Sequence, residues 1–387
     1  MSIAALLLIL LVASVVAIIS RRVRLPYSVG LVAAGLVLAR LPVGLTMPLT
    51  RELIFNVFLP PLVFEAALQL EWRRFRRELP VTLTLAFPGV ALATAMVAVG
   101  LHVLLGWSWQ GAGLFGVLIA ATDPVSVIAA FRALRVAPRL SMLVESESLL
   151  NDGAAAVGFA VLAGGGDGGW VHMLATLLWA GLGGVAAGAA AAGAVLLLAR
   201  RTDDHLVEIT LTTIAAYGSF LLAEHFAMSG VLASLTAGLM IGNLAWRDAI
   251  SEGGQSHALD FWEYATFLAN SFVFIMIGTQ GAHTPRSAWS WATAAALALV
   301  LLGRGAAVYA LCALFARTRL RVGWGSQHIL VWGGLRGALA LALALAVPEG
   351  VAERQEIGVT AFAVVAFSIF VQGLTMPLLI RRCGASA

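Results

Sequence analysis

The chain contains no lysine, and all 24 of its basic residues are arginines. Charge of either sign is scarce: Asp, Glu, Lys and Arg make up 11% of 387 residues, against 60% hydrophobic. Soluble domains carry about a quarter charged residues, so this chain lacks the polar side chains to cover a water-facing surface. Cysteine is reduced to Cys312 and Cys383, far apart and in no motif, which excludes a disulfide framework or a cysteine zinc site. No GxSxG elbow, nucleotide-binding loop or zinc signature is present. The chain therefore reads as no enzyme, with no cofactor and no nucleotide or nucleic-acid partner. The strand-length alternation of an outer-membrane barrel is missing as well.

What is there is a series of apolar stretches near ~20 residues, the length a helix needs to cross ~30 Å of hydrocarbon. Forty glycines and long alanine runs suit close helix contact in lipid. Thirteen spans can be drawn: 2–20, 25–42, 53–70, 80–106, 110–132, 141–163, 170–199, 205–225, 227–245, 259–281, 287–315, 324–347 and 355–380. The apolar N-terminus has no basic residues before it, so 2–20 reads as a permanent span and not a cleaved signal. The last span ends within seven residues of the final position, so no cytoplasmic regulatory tail is expected.

Arginine placement tests the count. Arg21, Arg22, Arg24, Arg73, Arg74, Arg76, Arg77, Arg132, Arg135, Arg139, Arg200, Arg201, Arg247, Arg317, Arg319, Arg321, Arg381 and Arg382 follow odd-numbered spans. Only Arg40, Arg51, Arg286 and Arg354 lie near the other connections. The bias puts the N-terminus outside and the C-terminus in the cytoplasm. It also accounts for the net charge of +4 without a polyanionic partner. Thirteen divides as six, one and six, and the odd total would run the two halves in opposite directions, as in the two inverted six-helix repeats common in secondary transporters. Trp72, Trp107, Trp109, Trp170, Trp246, Trp262, Trp289 and Trp324 fall near span edges and read as an interfacial aromatic belt.

Ionisable groups inside a bilayer are costly, ~2.5–3.5 kcal/mol each at a helix centre, and here they concentrate in a few spans. The fifth contains Ala121-Thr122-Asp123-Pro124-Val125-Ser126. Proline removes a backbone donor and clashes with the preceding turn, so the helix should open beside Asp123. Freed carbonyls are tolerable only where they face a cavity or an ion. The sixth contains Glu145-Ser146-Glu147-Ser148-Leu149-Leu150-Asn151-Asp152. At 3.6 residues per turn Ser148 stacks on Asp152, and Glu147 on Asn151. The twelfth holds Arg336 within Gly333-Gly334-Leu335-Arg336-Gly337, and the eleventh holds Arg304 between two glycines. Each arginine requires a carboxylate or carbonyls, and Glu147 can serve one of them. Glu65 in the third span either lines an access path or neutralises an arginine. Glu208, Glu263 and His328 lie nearer span ends and read as interfacial.

The strings ATDPVSV, VESESLLNDGAAAV and GGLRGALAL, in that order, together with FLPPLVFEAAL, resemble the NhaP-type branch of the sodium/proton antiporters over essentially the whole chain. Ser146 departs from the glycine common there. The resemblance implies an all-α integral membrane fold of about 13 transmembrane helices, with broken helices 5 and 12 crossing, in a homodimer among membrane lipids. A core subdomain, about 80–163 and 287–380, would move against a dimerisation subdomain, about 1–70 and 170–281. It implies Na+ held at Asp152, Asp123, Ser148 and Thr122, with Glu147 nearby, and Asn151, Arg336, Arg304 and Glu65 in support. Asn151 stands where electrogenic relatives have a second aspartate, which implies electroneutral exchange of one Na+ or Li+ for one proton. A prokaryotic inner membrane is the expected location.

The physics runs parallel. Desolvation disfavours the charged form of any carboxylate, so a buried one takes up either a proton or a small cation. If the protein moves readily only with that charge neutralised, exchange is obligatory. A K+/H+ antiporter of the same fold, a sodium-coupled solute symporter and a cation channel are the alternatives.

Overall fold

The computed structural model describes residues 3–23, 25–40, 50–164, 169–202, 204–245, 252–282 and 290–384, and every regular element among them is a helix. Fifteen follow in order: α1 (Ile3–Val23), α2 (Tyr27–Leu38), α3 (Arg51–Gln69), α4 (Trp72–Leu105), α5 (Trp109–Leu118), α6 (Val125–Leu134), α7 (Pro138–Ala163) and α8 (Gly169–Ala199). Then come α9 (His205–His225), α10 (Gly230–Met240), α11 (Glu252–Ala282), α12 (Trp291–Leu314), α13 (Trp324–Trp332), α14 (Ala338–Leu345) and α15 (Arg354–Arg382). Eight of them are long and apolar enough to cross a membrane alone. Read α5 with α6, and α13 with α14, as single interrupted crossings, and the described helices make the thirteen expected. Wider π turns occupy Ile54–Phe58 in α3, Ile241–Ala245 after α10 and Ser368–Gly373 in α15.

Local sequence sets the ends. Ser108, Asp204, Ser229 and Ser290 each accept a backbone N–H of the first turn of α5, α9, α10 and α12. Gly106, at φ 69°, stops α4 in the left-handed region that glycine enters without penalty. Helix α4 begins at Trp72 and not at 80. Its 34 residues, about 51 Å at ~1.5 Å per residue, carry Arg73, Arg74, Arg76 and Arg77 beyond the apolar stretch on the same helix.

The helices pack mainly within two groups. Helices α1–α3 and α8–α11 form one, with α2 against α11 and α10 against α3 and α8. Helices α4–α7 and α12–α15 form the other, with α4 against α5, α7 and α12. Glycine allows the closest approach: a Cβ at Gly35 of α2 would lie 2.2 Å from the Ile275 carbonyl oxygen of α11, and one at Gly278 would lie 2.2 Å from that of Val32. No side chain fits there, so the two backbones touch. Across the groups, the buried hydroxyls of Ser28 in α2 and Ser126 in α6 hydrogen bond.

Two expectations are corrected. Glu208 is buried, not interfacial. It shares an inward face of α9 with Leu211, Thr212, Ala215 and Ser219, and the face it occupies outweighs its closeness to the helix end. Trp262 is 1% exposed, donates to Thr212 Oγ1 at 3.0 Å and packs on Phe64, so it is a core residue and no part of a belt. Trp107 is buried as well. Trp72, Trp109 and Trp324 are exposed. Trp246, Trp289, Arg24, Arg247 and Arg286, and the side chain of Trp170, lie outside the described residues.

Candidate functional site

Two interruptions meet in the second group. The fifth crossing loses its helix over 119–124, and the twelfth over 333–337. Pro124 cannot donate a backbone hydrogen bond, and Asp123 Oδ1 accepts from the N–H of Val125, the first residue of α6, at 3.0 Å. Asp123 N donates to Leu335 O across the gap at 2.8 Å, so the two breaks hydrogen bond to each other. The Arg336 guanidinium, 3% exposed, donates to Ala120 O and Ala121 O at 2.9 and 3.2 Å. These are carbonyls that an unbroken helix would have used itself. Gly337 lies against Asp123: a Cβ there would sit 2.4 Å from the Asp123 Cβ.

Helix α7 brings its polar stripes to this junction. Asp152 Oδ1 accepts from Thr122 N at 3.2 Å. Thr122 Oγ1 donates to Ser148 Oγ at 3.0 Å, and Ser148 Oγ donates back to the Thr122 carbonyl. Asp152 also lies within electrostatic reach of Asp123, Glu147 and Arg336. The stacking of Ser148 and Asp152 expected from helical spacing thus places both against the break in the fifth crossing.

The partner of Glu147 is Arg304. The two form a bidentate pair, with Arg304 NH1 at 2.5 Å from Oε1 and NH2 at 3.0 Å from Oε2. Arg304 NH2 donates in addition to Leu330 O at 2.9 Å. Asn151 Nδ2 donates to Glu147 Oε1 at 2.6 Å and reaches Thr122 Oγ1 at 3.4 Å. Both arginines therefore meet their requirement by different means, one on a carboxylate and one on carbonyls. Glu65 stands apart from this cluster. It accepts from Gln69 and lies within reach of Glu145, Arg132 and Glu263.

Eight of the nine residues singled out from sequence converge where the breaks meet. The transmembrane domain of the sodium/hydrogen exchanger family matches residues 7–382. The chain belongs to that family. Exchanger relatives match it along most of its length. The Na(+)/H(+) antiporter ApNhaP of Aphanothece halophytica is 38% identical over 370 residues, 93% of this chain and 70% of that protein. The Na(+)/H(+) antiporter NhaH of Halobacillus aidingensis is 32% identical, over 98% of this chain and 97% of that protein. The solved sodium proton antiporter MjNhaP1 of Methanocaldococcus jannaschii superposes with a TM-score of 0.77 over 99% of this chain and 96% of its own, at 19% identity. At that identity the exchanger structure shares the fold. The family is one of membrane transporters, not enzymes.

Sequence reading missed three polar contacts in this group of helices. Gln372 of α15 donates to Trp332 O at 3.1 Å, and a lone glutamine deep in an apolar span was the signal for it. Arg139 forms a bidentate pair with Glu78, at 2.8 and 3.0 Å, and donates to the carbonyls of Leu320 and Arg321. Glu353 accepts from Ser108 N and Oγ at 2.7 and 2.8 Å, joining the starts of α5 and α15.

Proposed function

We propose that this protein exchanges one Na+, or one Li+, for one proton, with both competing for Asp152. One observation carries the reading. At the junction, three carboxylates (Asp123, Glu147, Asp152) face two guanidiniums (Arg304, Arg336), which leaves one uncompensated negative charge. A single monovalent cation or a single proton brings the buried cluster to neutrality, and a second would overshoot. Asn151, neutral and committed to Glu147, adds no further acid. That balance supports electroneutral one-for-one exchange.

The ligand set is Asp152, Asp123 and the oxygens of Thr122 and Ser148. Glu147 serves from behind, since Arg304 takes both of its oxygens. When a cation enters, Ser148 turns its hydroxyl away from the Thr122 carbonyl and both oxygens become available. A proton on Asp152 gives the same net charge without ligands, and the hydroxyl pair closes again. Moving a charge through a low-dielectric interface is costly, so only the two neutralised forms cross readily. No nucleotide is consumed.

Residues 72–163 and 291–382 act as the moving core, and 3–69 with 169–282 as the scaffold through which two copies pair. The packing within two groups supports this, as does the Ser28–Ser126 contact between them, a pair of neutral hydroxyls. The arginine bias supports an external N-terminus and a cytoplasmic C-terminus in a prokaryotic cell membrane.

The test is exchange in proteoliposomes loaded with a pH-sensitive dye, with sodium, lithium, potassium and rubidium chlorides added in turn. Sodium and lithium should dissipate a proton gradient, at a rate indifferent to an imposed membrane potential. A response to potassium alone would make it a K+/H+ antiporter, a requirement for an organic solute would make it a symporter, and a conductance would make it a channel. Silence toward all four cations would end the proposal.

A further inference from the structure

The break in the twelfth crossing has to be held open, and its hydrogen bonds show where. Helix α13 ends at Trp332, and Gly333 and Gly334 follow. Two glycines put no side chain between the anchors on either side, so backbone hydrogen bonds set the path of this stretch. Downstream, Leu335 O receives Asp123 N and the Arg336 guanidinium grips Ala120 and Ala121. Upstream, the anchor is Gln372, whose Nε2 donates to Trp332 O. Leu335 N turns back onto Gly333 O at 2.8 Å, which leaves little slack between the two ends.

Gln372 is 2% exposed and sits in the π turn Ser368–Gly373. Such turns are rare and recur at functional sites, because the extra residue re-aims side chains that a regular helix would point elsewhere. With Arg304, Gly334, Arg336 and Ser368, Gln372 lines a cavity of about 10 Å³. It therefore shares this cavity with both arginines. The indole of Trp332 is tied to α15 separately, donating to Thr375 Oγ1 at 2.9 Å. One residue thus has two bonds to α15, one through its backbone and one through its side chain, which can be cut separately.

We infer that Gln372 is a positioning residue for the cation site: by holding the Trp332 carbonyl it fixes the path of residues 333–335, and so the place of Asp123 against Leu335. The inference rests on the exchange reading above. Without that donor the carbonyl is left unpaired in a medium of low polarity and recruits another partner. The two glycines let the chain follow, Leu335 O shifts, and Asp123 shifts with it.

The experiment compares Gln372→Met, which keeps length and loses the donor, with Thr375→Val. The latter removes the indole bond and the hydroxyl's own bonds to the Val371 and Gln372 carbonyls but leaves the Gln372 donor on Trp332 O. Sodium-dependent proton efflux is measured over a range of sodium concentrations for both and for the unmodified protein. Gln372→Met should raise the apparent KM for Na+ roughly fivefold, the size of one neutral hydrogen bond, with kcat changed less than KM. Thr375→Val should keep KM within about twofold, below the effect of a single bond. If Gln372→Met fails to fold, Gln372→Asn retains an amide one methylene short and should raise KM in the same direction by a smaller factor. An unchanged KM in the folded Gln372 variant, or equal KM shifts in the Gln372 and Thr375 variants, would overturn the inference. Absence of sodium-driven efflux in the unmodified protein would instead overturn the exchange reading.

Discussion

Glu147 and Asp152 lie five residues apart on one helix, yet they are treated in opposite ways. Glu147 has both oxygens on Arg304 and a third bond from Asn151. Asp152 has one backbone N–H, from Thr122, at 3.2 Å. The first acid is balanced by a fixed partner of opposite charge. The second forms no ion pair among the described residues, which on the exchange reading leaves it for a partner that comes and goes. Burial alone does not mark an acid for transport. What marks it is a deficit of fixed positive charge around it, beside backbone and hydroxyl oxygens that can serve an ion.

The sharpest way to break the comparison is to neutralise each acid. Asp152→Asn should abolish sodium-driven proton efflux while leaving expression and melting temperature near normal, because it removes a charge that has no fixed partner. Retained efflux would put the exchanged charge elsewhere. Glu147→Gln should do the reverse and act first on stability. It strands Arg304 at 7% exposure, and breaking a buried pair on one side costs about 3–5 kcal/mol. The expected result is a large drop in melting temperature in detergent, relieved when Arg304→Gln is added. If both variants lost activity with unchanged stability, the two acids would share one role.

Ser148→Ala should fall between them. It deletes one oxygen ligand and the bond to the Thr122 carbonyl, so the apparent KM for Na+ should rise roughly fivefold, a loss of about 1 kcal/mol, with little change in kcat. A loss of kcat alone would place the hydroxyl in the movement and not in binding. The smallest effect belongs to Glu353, outside the spans. Partial burial pushes its carboxyl up, but the bonds from Ser108 N and Oγ and from its own backbone outweigh it, so its pKa lies below the ordinary glutamate value. A depressed folded pKa stabilises above the unfolded value, near ~4.3, and that stabilisation is lost as pH falls through the folded value. Glu353→Gln should therefore lower the melting temperature slightly at neutral pH, and the difference should vanish in acid. A difference that grew in acid would reverse the sign of the argument.

Much of this contrast was legible in the sequence. Proline after Asp123, and glycines around Arg336, announce where helices must open, because both act through the local backbone. The i, i+4 pairing of Ser148 with Asp152, and of Glu147 with Asn151, is helical geometry and holds without tertiary information. The choice of Arg304 over Arg336 for Glu147 was not legible. It depends on how three helices pack, and either arginine satisfies the charge. Glu208 and Trp262 misled for the same reason: distance from a span end measures depth, whereas burial depends on the face. The π turn under Gln372 leaves no periodic trace, since one inserted residue in an apolar run is still an apolar run.

The absence of lysine acquires a further meaning at the junction. An ammonium group can surrender its hydrogen ion when it is moved out of water, and would then act as a second carrier in the translocation cycle. A guanidinium delocalises its charge over a plane and remains cationic at neutral pH. Arg304 and Arg336 supply the cations of this junction, and both are guanidiniums. On the exchange reading proposed above, the coupling ratio is then left to the acids, and replacing an arginine by lysine is the change that would disturb it.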